Sequence, residues 1–140
     1  MMKQNVPVSA IMTKHVIKLN ASDDLTKAES LFKKHHIRHI PVVNGNSILG
    51  MLSYTDLLRI SFADAVDEDE KSVDVTVYNM FSVEQVMARN LVKVSPETTI
   101  KEVAEILSKK EFHALPVVED ELLVGIVTTT DLIKYLIDQY

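Results

Sequence analysis

The chain has 140 residues, 46% of them hydrophobic and 25% charged, the balance of a globular protein able to bury one compact core. It has no cysteine, which excludes disulfides, thiolate metal sites and cysteine nucleophiles. Its net charge of -5 argues against general nucleic-acid binding, which needs a basic surface to neutralise phosphates.

In chain order, a segment at residues 1–7 precedes a short predicted strand around Val16 to Leu19. Leu25, Ala28 and Phe32 then recur at helical spacing, with Asp24 at the cap position. Two apolar runs, Ile37 to Val43 and Ile48 to Leu52, are too brief for helices and read as strands around an Asn44-Gly45 hairpin signal. A second helix opens at Thr55-Asp56. Residues 61–82 form an acidic connector, with one Lys against six Asp/Glu. Its cluster Asp64, Asp67, Glu68, Asp69 and Glu70 is predicted to be an exposed loop or helix end, and Val75 to Phe81 an edge strand or a partner-contacting surface.

The second half runs through the same order. Leu91 to Val94 predicts a strand. Ile100, Val103 and Leu107 predict a helix, whose start is marked by Ser95-Pro96 and by the capping-box pair Thr99 and Glu102. Phe112 to Val118 and Leu122 to Val127 predict strands, joined less decisively by Glu119-Asp120-Glu121, and a last helix opens at Thr130-Asp131.

This order is a repeat. A shift of 75 residues lays Val8 to Ile60 over Val83 to Tyr135 without a gap, with eleven identities: Val8, Met12, Lys18, Lys34, Pro41, Val42, Val43, Gly50, Thr55, Asp56, Leu57 and their partners. The expected organisation is a first repeat at 8–60 and a second at 83–137, each a strand-helix-strand-strand-helix unit. About 50 residues is marginal for an independent core, so the two are expected to pack as one pseudo-symmetric α/β domain.

The duplicated order of Ile11-Met12 and Val86-Met87, a helix, [Ile/Leu]-Pro-Val-Val, and Gly-x-x-[Ser/Thr]-x-x-Asp-Leu resembles the cystathionine β-synthase (CBS) domain pair, or Bateman module. The resemblance covers about three quarters of the chain. It implies two clefts between the copies that hold adenosine-containing ligands such as AMP, ADP, ATP or S-adenosylmethionine. It further implies a homodimer that regulates an attached or associated enzyme, channel or transporter rather than catalysing a reaction; because the repeats fill the sequence, action on a separate effector protein, or buffering or sensing of the ligand alone, is expected. By the same resemblance, one cleft combines Thr128 and Asp131 with Ile17, Ile37 and Arg38. The other combines Ser53 and Asp56 with Val92, Phe112 and His113.

The chemistry of these residue types fits such a ligand. Ser53 and Thr128 stand where a strand gives way to a helix, so free amides and the positive end of the helix dipole favour an anion. Asp56 and Asp131 can accept hydrogen bonds from a ribose diol. Gly50 and Gly125 permit close backbone approach, and Met51 and Ile126, with Leu52 and Val127, would wall the base. The copies differ before the proline, where Arg38-His39 stands against His113-Ala114. By the resemblance, in which basic residues at these positions contact phosphate in members that bind phosphorylated nucleotides, Arg38 and His39 are the expected phosphate contacts, with AMP the foremost ligand. A Thr-Asp pair that opens a helix is equally an ordinary cap, and Arg38 could simply pair with surface acids.

Other signals lead to no chemistry. His35-His36-x-x-His39 ends a helix and enters a strand, so its rings would not share a face, and no metal is expected. There is no His-Glu-x-x-His, no Gly-x-Ser-x-Gly and no Walker loop. Met12, Met51, Met80 and Met87 read as core filler. No apolar run reaches the roughly 18 residues of a membrane span, and Met1 to Pro7 lacks the apolar stretch of a secretory signal, so a cytoplasmic, non-membrane location is expected. The alternative to a nucleotide sensor is a ligand-independent dimerisation or scaffolding module with degenerate sites.

Overall fold

A computed structural model describes residues 5–63, 78–110 and 112–140; the acidic cluster from Asp64 to Glu70 lies outside them. The fold is mixed α/β, as expected. A 3-10 turn at Val8–Ala10 precedes β1 (Leu19–Asn20), α1 (Leu25–His35), β2 (His39–Asn44), β3 (Ser47–Ser53) and α2 (Tyr54–Ala63). Then follow α3 (Val83–Val86), α4 (Ile100–Lys109), β4 (Ala114–Glu119), β5 (Leu122–Thr128) and α5 (Thr129–Asp138).

The predicted helices form for the predicted reasons. In α1, Leu25, Ala28 and Phe32 are the buried residues, and the Asp24 carboxylate accepts the Lys27 N–H at 2.8 Å. The helix ends where His36 turns left-handed at φ 53°, and the Phe32 carbonyl takes the N–H groups of His36 and Ile37. Lys33, Lys34 and His35 in the last turn favour the negative end of the dipole. In α4 the capping box at Thr99 is only half closed. Thr99 Oγ1 accepts the Glu102 N–H at 3.1 Å, but the Glu102 carboxylate takes the Thr99 hydroxyl rather than a backbone N–H. Complete boxes occur at Ser82 with Gln85 and at Thr128 with Asp131.

Four expectations need correction. The first strands are shorter than the aliphatic runs suggest: β1 is two residues, parallel to β2 through Leu19↔Val42 and Asn20↔Val43, and copy two keeps a single parallel bridge, Val94↔Val117. Only Leu19 and Val94 enter the core there, while the adjacent Lys18 and Lys93 stay exposed. Within Val75 to Phe81, residues 78–80 are helical rather than a strand. Tyr78 is buried and its hydroxyl donates to the Glu29 carboxylate, and one-sided anchoring leaves Asn79 and Met80 in solvent. Met80 is therefore not core filler, at 66% exposed. The hairpin turns lie one residue later than Asn44-Gly45, at Gly45-Asn46 with Gly45 at φ +65°, and at Asp120-Glu121 with both residues at positive φ.

The chain divides into two compact units whose boundaries cross those of the sequence repeats. One comprises Ile17–Gly45 and Leu49–Asn90; the other comprises Met1–Val16, Asn46–Ile48 and Leu91–Tyr140. In the first, Leu19, Leu25, Ala28, Phe32, Ile40, Val42, Leu52 and Leu57 form a core joined by Tyr78, Val83 and Met87. In the second, Val94, Val103, Leu115, Val117 and Val127 form a core joined by Val8. Each unit thus takes the opening segment of the other repeat. Completely buried Val8 and Val83 each contribute about 1.5–3 kcal/mol of transfer free energy to their units.

Backbone hydrogen bonds lace these borrowed segments in place. Val8 N–H donates to the Thr98 carbonyl at 2.7 Å, Ser9 N–H to Pro96 at 3.1 Å, and Ile100 N–H to Val6 at 2.9 Å. Thr13 and Ile126 exchange a reciprocal pair at 2.8 and 3.0 Å, as do Met51 and Ala88 at 3.0 and 2.9 Å. The same approach explains both strand glycines. A Cβ on Gly50 would stand 2.5 Å from Met87 Sδ and 2.8 Å from the Ala88 carbonyl, and one on Gly125 would stand 2.7 Å from Met12 Sδ. The close approach anticipated at these glycines is made by the protein itself.

Candidate ligand-binding site

Each unit contains one junction where a strand runs directly into a helix, and the two are built alike. In the first, β3 ends at Ser53, whose Oγ accepts the Asp56 N–H at 3.0 Å and so caps α2. The Tyr54 N–H donates to the Arg38 carbonyl at 2.8 Å, which fixes the pre-proline segment beside the start of the helix. In the second, Thr128 Oγ1 accepts the Asp131 N–H at 3.2 Å, and the Thr129 N–H donates to the His113 carbonyl at 3.0 Å. Strand, pre-proline turn and helix N-terminus therefore converge twice, with hydroxyl and carboxylate at the same steps of each.

The two carboxylates are held differently. Asp131 Oδ2 accepts both the Thr128 N–H, at 2.9 Å, and the Thr128 hydroxyl, at 3.2 Å, so the side chain folds back over the first turn. Asp56 makes no such return. Its Oδ1 accepts Arg59 Nη1 at 3.2 Å, one turn further along the helix. Both Asp residues, with Ser53 and Thr128, are half-buried.

The other expected site residues divide by exposure. Arg38 is exposed and makes no ion pair among the described residues, so the alternative of a surface ion pair is not met there. His39 is partly buried as the first residue of β2, and His113 is exposed at the entry to β4. Ile17 is half-buried. Ile37 packs partly buried against the first core, and Val92 and Phe112 against the second. Met51 and Ile126 are buried, at 6% and 8% exposed, each bonded through its backbone to a borrowed segment.

Among the described residues, no buried side-chain nitrogen or oxygen lacks a partner, and no three His, Asp or Glu side chains are grouped to hold a metal ion. No helix of the described residues is long and apolar enough to cross a membrane. Two features escaped the sequence reading. Arg59 follows Asp56 by three residues on a helix, a spacing that brings opposite charges together and could have been read. The apolar face of α5, with Ile133, Leu136 and Ile137 exposed at 53%, 44% and 65% and Tyr140 following, also has helical spacing.

Known proteins are similar to this chain in family and fold. The CBS domain family model matches residues 8–63 and 83–138. An uncharacterised protein of Methanocaldococcus jannaschii, MJ1225, is 25% identical over 133 residues, 94% of this chain, and the chain spans about half (48%) of that relative's length. The crystal structure of AcuB from Vibrio cholerae superposes with a TM-score of 0.80 at 29% identity, covering 96% of this chain and 92% of that one. Two more distant structures share the fold. The CBS domain pair of MJ0100, in complex with 5-methylthioadenosine and S-adenosyl-L-methionine, has a TM-score of 0.80 at 24% identity and covers 96% and 98% of the two chains. CBSX2 in complex with AMP has a TM-score of 0.78 at 21% identity, with the same coverage.

Proposed function

The chain belongs to the CBS domain family, and on that premise we propose that it is a non-catalytic regulatory module that binds an adenine nucleotide, AMP foremost, and passes the nucleotide level to a separate partner protein. The observation that carries this reading is the doubled junction. Both repeats keep a capping hydroxyl, a helix N-terminus and an Asp three residues on, at Ser53–Asp56 and Thr128–Asp131. Free amides and the helix dipole suit a phosphate, and the carboxylates suit a ribose diol. The adenosine compounds bound by the MJ0100 pair and by CBSX2 support the ligand class.

In this reading Thr128 and Asp131 serve one site with Ile17, Ile37 and Arg38, and Ser53 and Asp56 serve the other with Val92, Phe112 and His113. Met51 and Ile126 wall the bases. Arg38, uncommitted among the described residues, and His39 favour a phosphorylated ligand in the Asp131 site, so AMP, ADP or ATP is preferred there over S-adenosylmethionine. The module acts in the cytoplasm as a homodimer, and the exposed apolar face of α5 supports self-association. Binding regulates a partner only insofar as the ligand favours one conformation over another.

The competing reading is a ligand-independent scaffold. It draws support from the capping box, which accounts for Asp131 without any ligand. Calorimetric titration with AMP, ADP, ATP and S-adenosylmethionine separates the two. Binding of AMP below millimolar that Asp131→Ala weakens at least tenfold supports the sensor. No binding by any of the four leaves the scaffold.

A further inference from the structure

We infer that the two sites fill in a fixed order, Asp131 first and Asp56 second, and that Arg59 sets the gap between them by holding the Asp56 carboxylate away from the ligand. The inference rests on the nucleotide-binding reading and deepens it. Asp131 is preorganised: two donors of Thr128 hold Oδ2, and among the described residues no donor occupies Oδ1, which remains for a ligand hydroxyl. Among the described residues no backbone N–H donates to the Asp56 carboxylate, and its Oδ1 accepts Arg59 Nη1 at 3.2 Å.

A ribose diol arriving at Asp56 meets an acid drawn along the helix by Arg59 and must reorient it to use both oxygens, whereas at Asp131 it meets an acceptor already fixed in place. Preorganisation of this kind converts directly into affinity, because the ordering cost is met before binding. The sequence differences behind it lie at the cap, where Thr128 stands against Ser53, and one turn further along the helix. Lys134 occupies in α5 the position of Arg59 in α2, and among the described residues it makes no ion pair with Asp131. An ammonium on a flexible stem lacks the planar fork with which a guanidinium grips a carboxylate. The functional consequence is a wider working range, since the weaker site responds after the tighter one is filled.

Arg59 is largely exposed, with 73% of its side chain accessible, against 26% for Asp56. An exposed pair of this kind holds weakly, so releasing it should tighten the Asp56 site by about two- to five-fold. The test is calorimetric titration of the full chain with AMP and with 2′-deoxy-AMP. The unaltered protein should give two phases, the tighter lost in Asp131→Ala and the weaker in Asp56→Ala. In an Asp131→Ala background, Arg59→Gln should strengthen AMP binding by that factor and 2′-deoxy-AMP binding less, because the released carboxylate serves both hydroxyls of the diol and the deoxy ligand keeps one.

The outcomes are distinct. Loss of the weaker phase in Asp131→Ala, or of the tighter phase in Asp56→Ala, reverses the order and overturns the inference. If Arg59→Gln weakens AMP binding, Arg59 contacts phosphate instead; if it changes AMP and 2′-deoxy-AMP equally, its role is not at the diol. Absence of any AMP binding to the unaltered protein removes the underlying reading and not merely the order of filling.

Discussion

Adding one methyl group at Gly50 tests the close approach of β3 to the Met87-Ala88 segment. Neither Gly50 nor Gly125 has a positive φ, so backbone strain plays no part and the cost of alanine is set by space. At Gly50 the new Cβ would meet Met87 Sδ at 2.5 Å and Met87 Cγ at 2.8 Å, and both can retreat with their flexible side chain. The third neighbour, the Ala88 carbonyl at 2.8 Å, cannot retreat alone, because Ala88 exchanges two hydrogen bonds with Met51 on the same strand. Overpacking costs about 1–3 kcal/mol, and losing one of those hydrogen bonds adds about 0.5–1.5 kcal/mol. Gly50→Ala should thus cost about 2–4 kcal/mol. Gly125→Ala should cost about 1–2 kcal/mol, since its backbone neighbour, the Thr13 carbonyl, stands 3.0 Å away and Met12 is only half-buried. Urea unfolding without nucleotide, followed by far-ultraviolet circular dichroism, measures both. A Gly50→Ala cost below about 0.5 kcal/mol, or a larger cost at Gly125 than at Gly50, would refute the reasoning.

Other consequences are as open to measurement. Glu121 sits at φ +68° in the two-residue turn between β4 and β5, a conformation that costs a side-chain-bearing residue roughly 1–2 kcal/mol; Glu121→Gly should raise stability by about 1 kcal/mol in urea, whereas Gly45→Ala, at φ +65°, should lower it by a similar amount. Ile133 and Ile137 are more than half exposed on one face of α5, so Ile133→Glu with Ile137→Glu should leave unfolding nearly unchanged. In light scattering the double variant should read the 15.8 kDa of a single chain while the unaltered protein reads twice that mass; equal masses for the two would remove α5 from any dimer contact.

Periodicity and duplication made the elements legible because the long helices carry their apolar residues on one face, while β2 and β4 are short, continuously buried apolar runs. The burial of Leu25, Ala28 and Phe32 on one face of α1 follows from spacing alone, and so does the cap at Asp24. The borrowed segments were not legible. Val8 and Val83 match as a conserved pair within the repeat, but nothing in their spacing tells that each completes the unit built mainly from the other copy. That choice depends on long-range hydrogen bonds such as Val8 to Thr98, which leave no periodic mark. For the same reason Gly50 and Gly125 read equally well as ligand-facing positions until Met87 and Met12 are placed against them. At the junctions, the hydroxyl and carboxylate positions were visible as a motif. Their unequal engagement depends on rotamers: the Asp131 carboxylate turns back to Thr128, and the Asp56 carboxylate turns along its helix to Arg59.

Capping and ligand recognition need not compete for Asp131. A carboxylate offers about four acceptor sites; Oδ2 uses two on Thr128, and the cap fixes the orientation in which Oδ1 is presented. Asp131→Asn separates the two roles. An amide oxygen turned towards Thr128 can still accept the backbone N–H and the hydroxyl, so unfolding without ligand should change by less than about 0.5 kcal/mol. The amide nitrogen then replaces Oδ1 and presents donors where a diol hydroxyl needs an acceptor. Replacing charge-assisted bonds in this way should cost AMP about 1–2 kcal/mol, roughly 5- to 30-fold in affinity. If the variant instead loses stability while AMP binds as before, the carboxylate serves the helix alone, and the scaffold reading gains what the sensor loses.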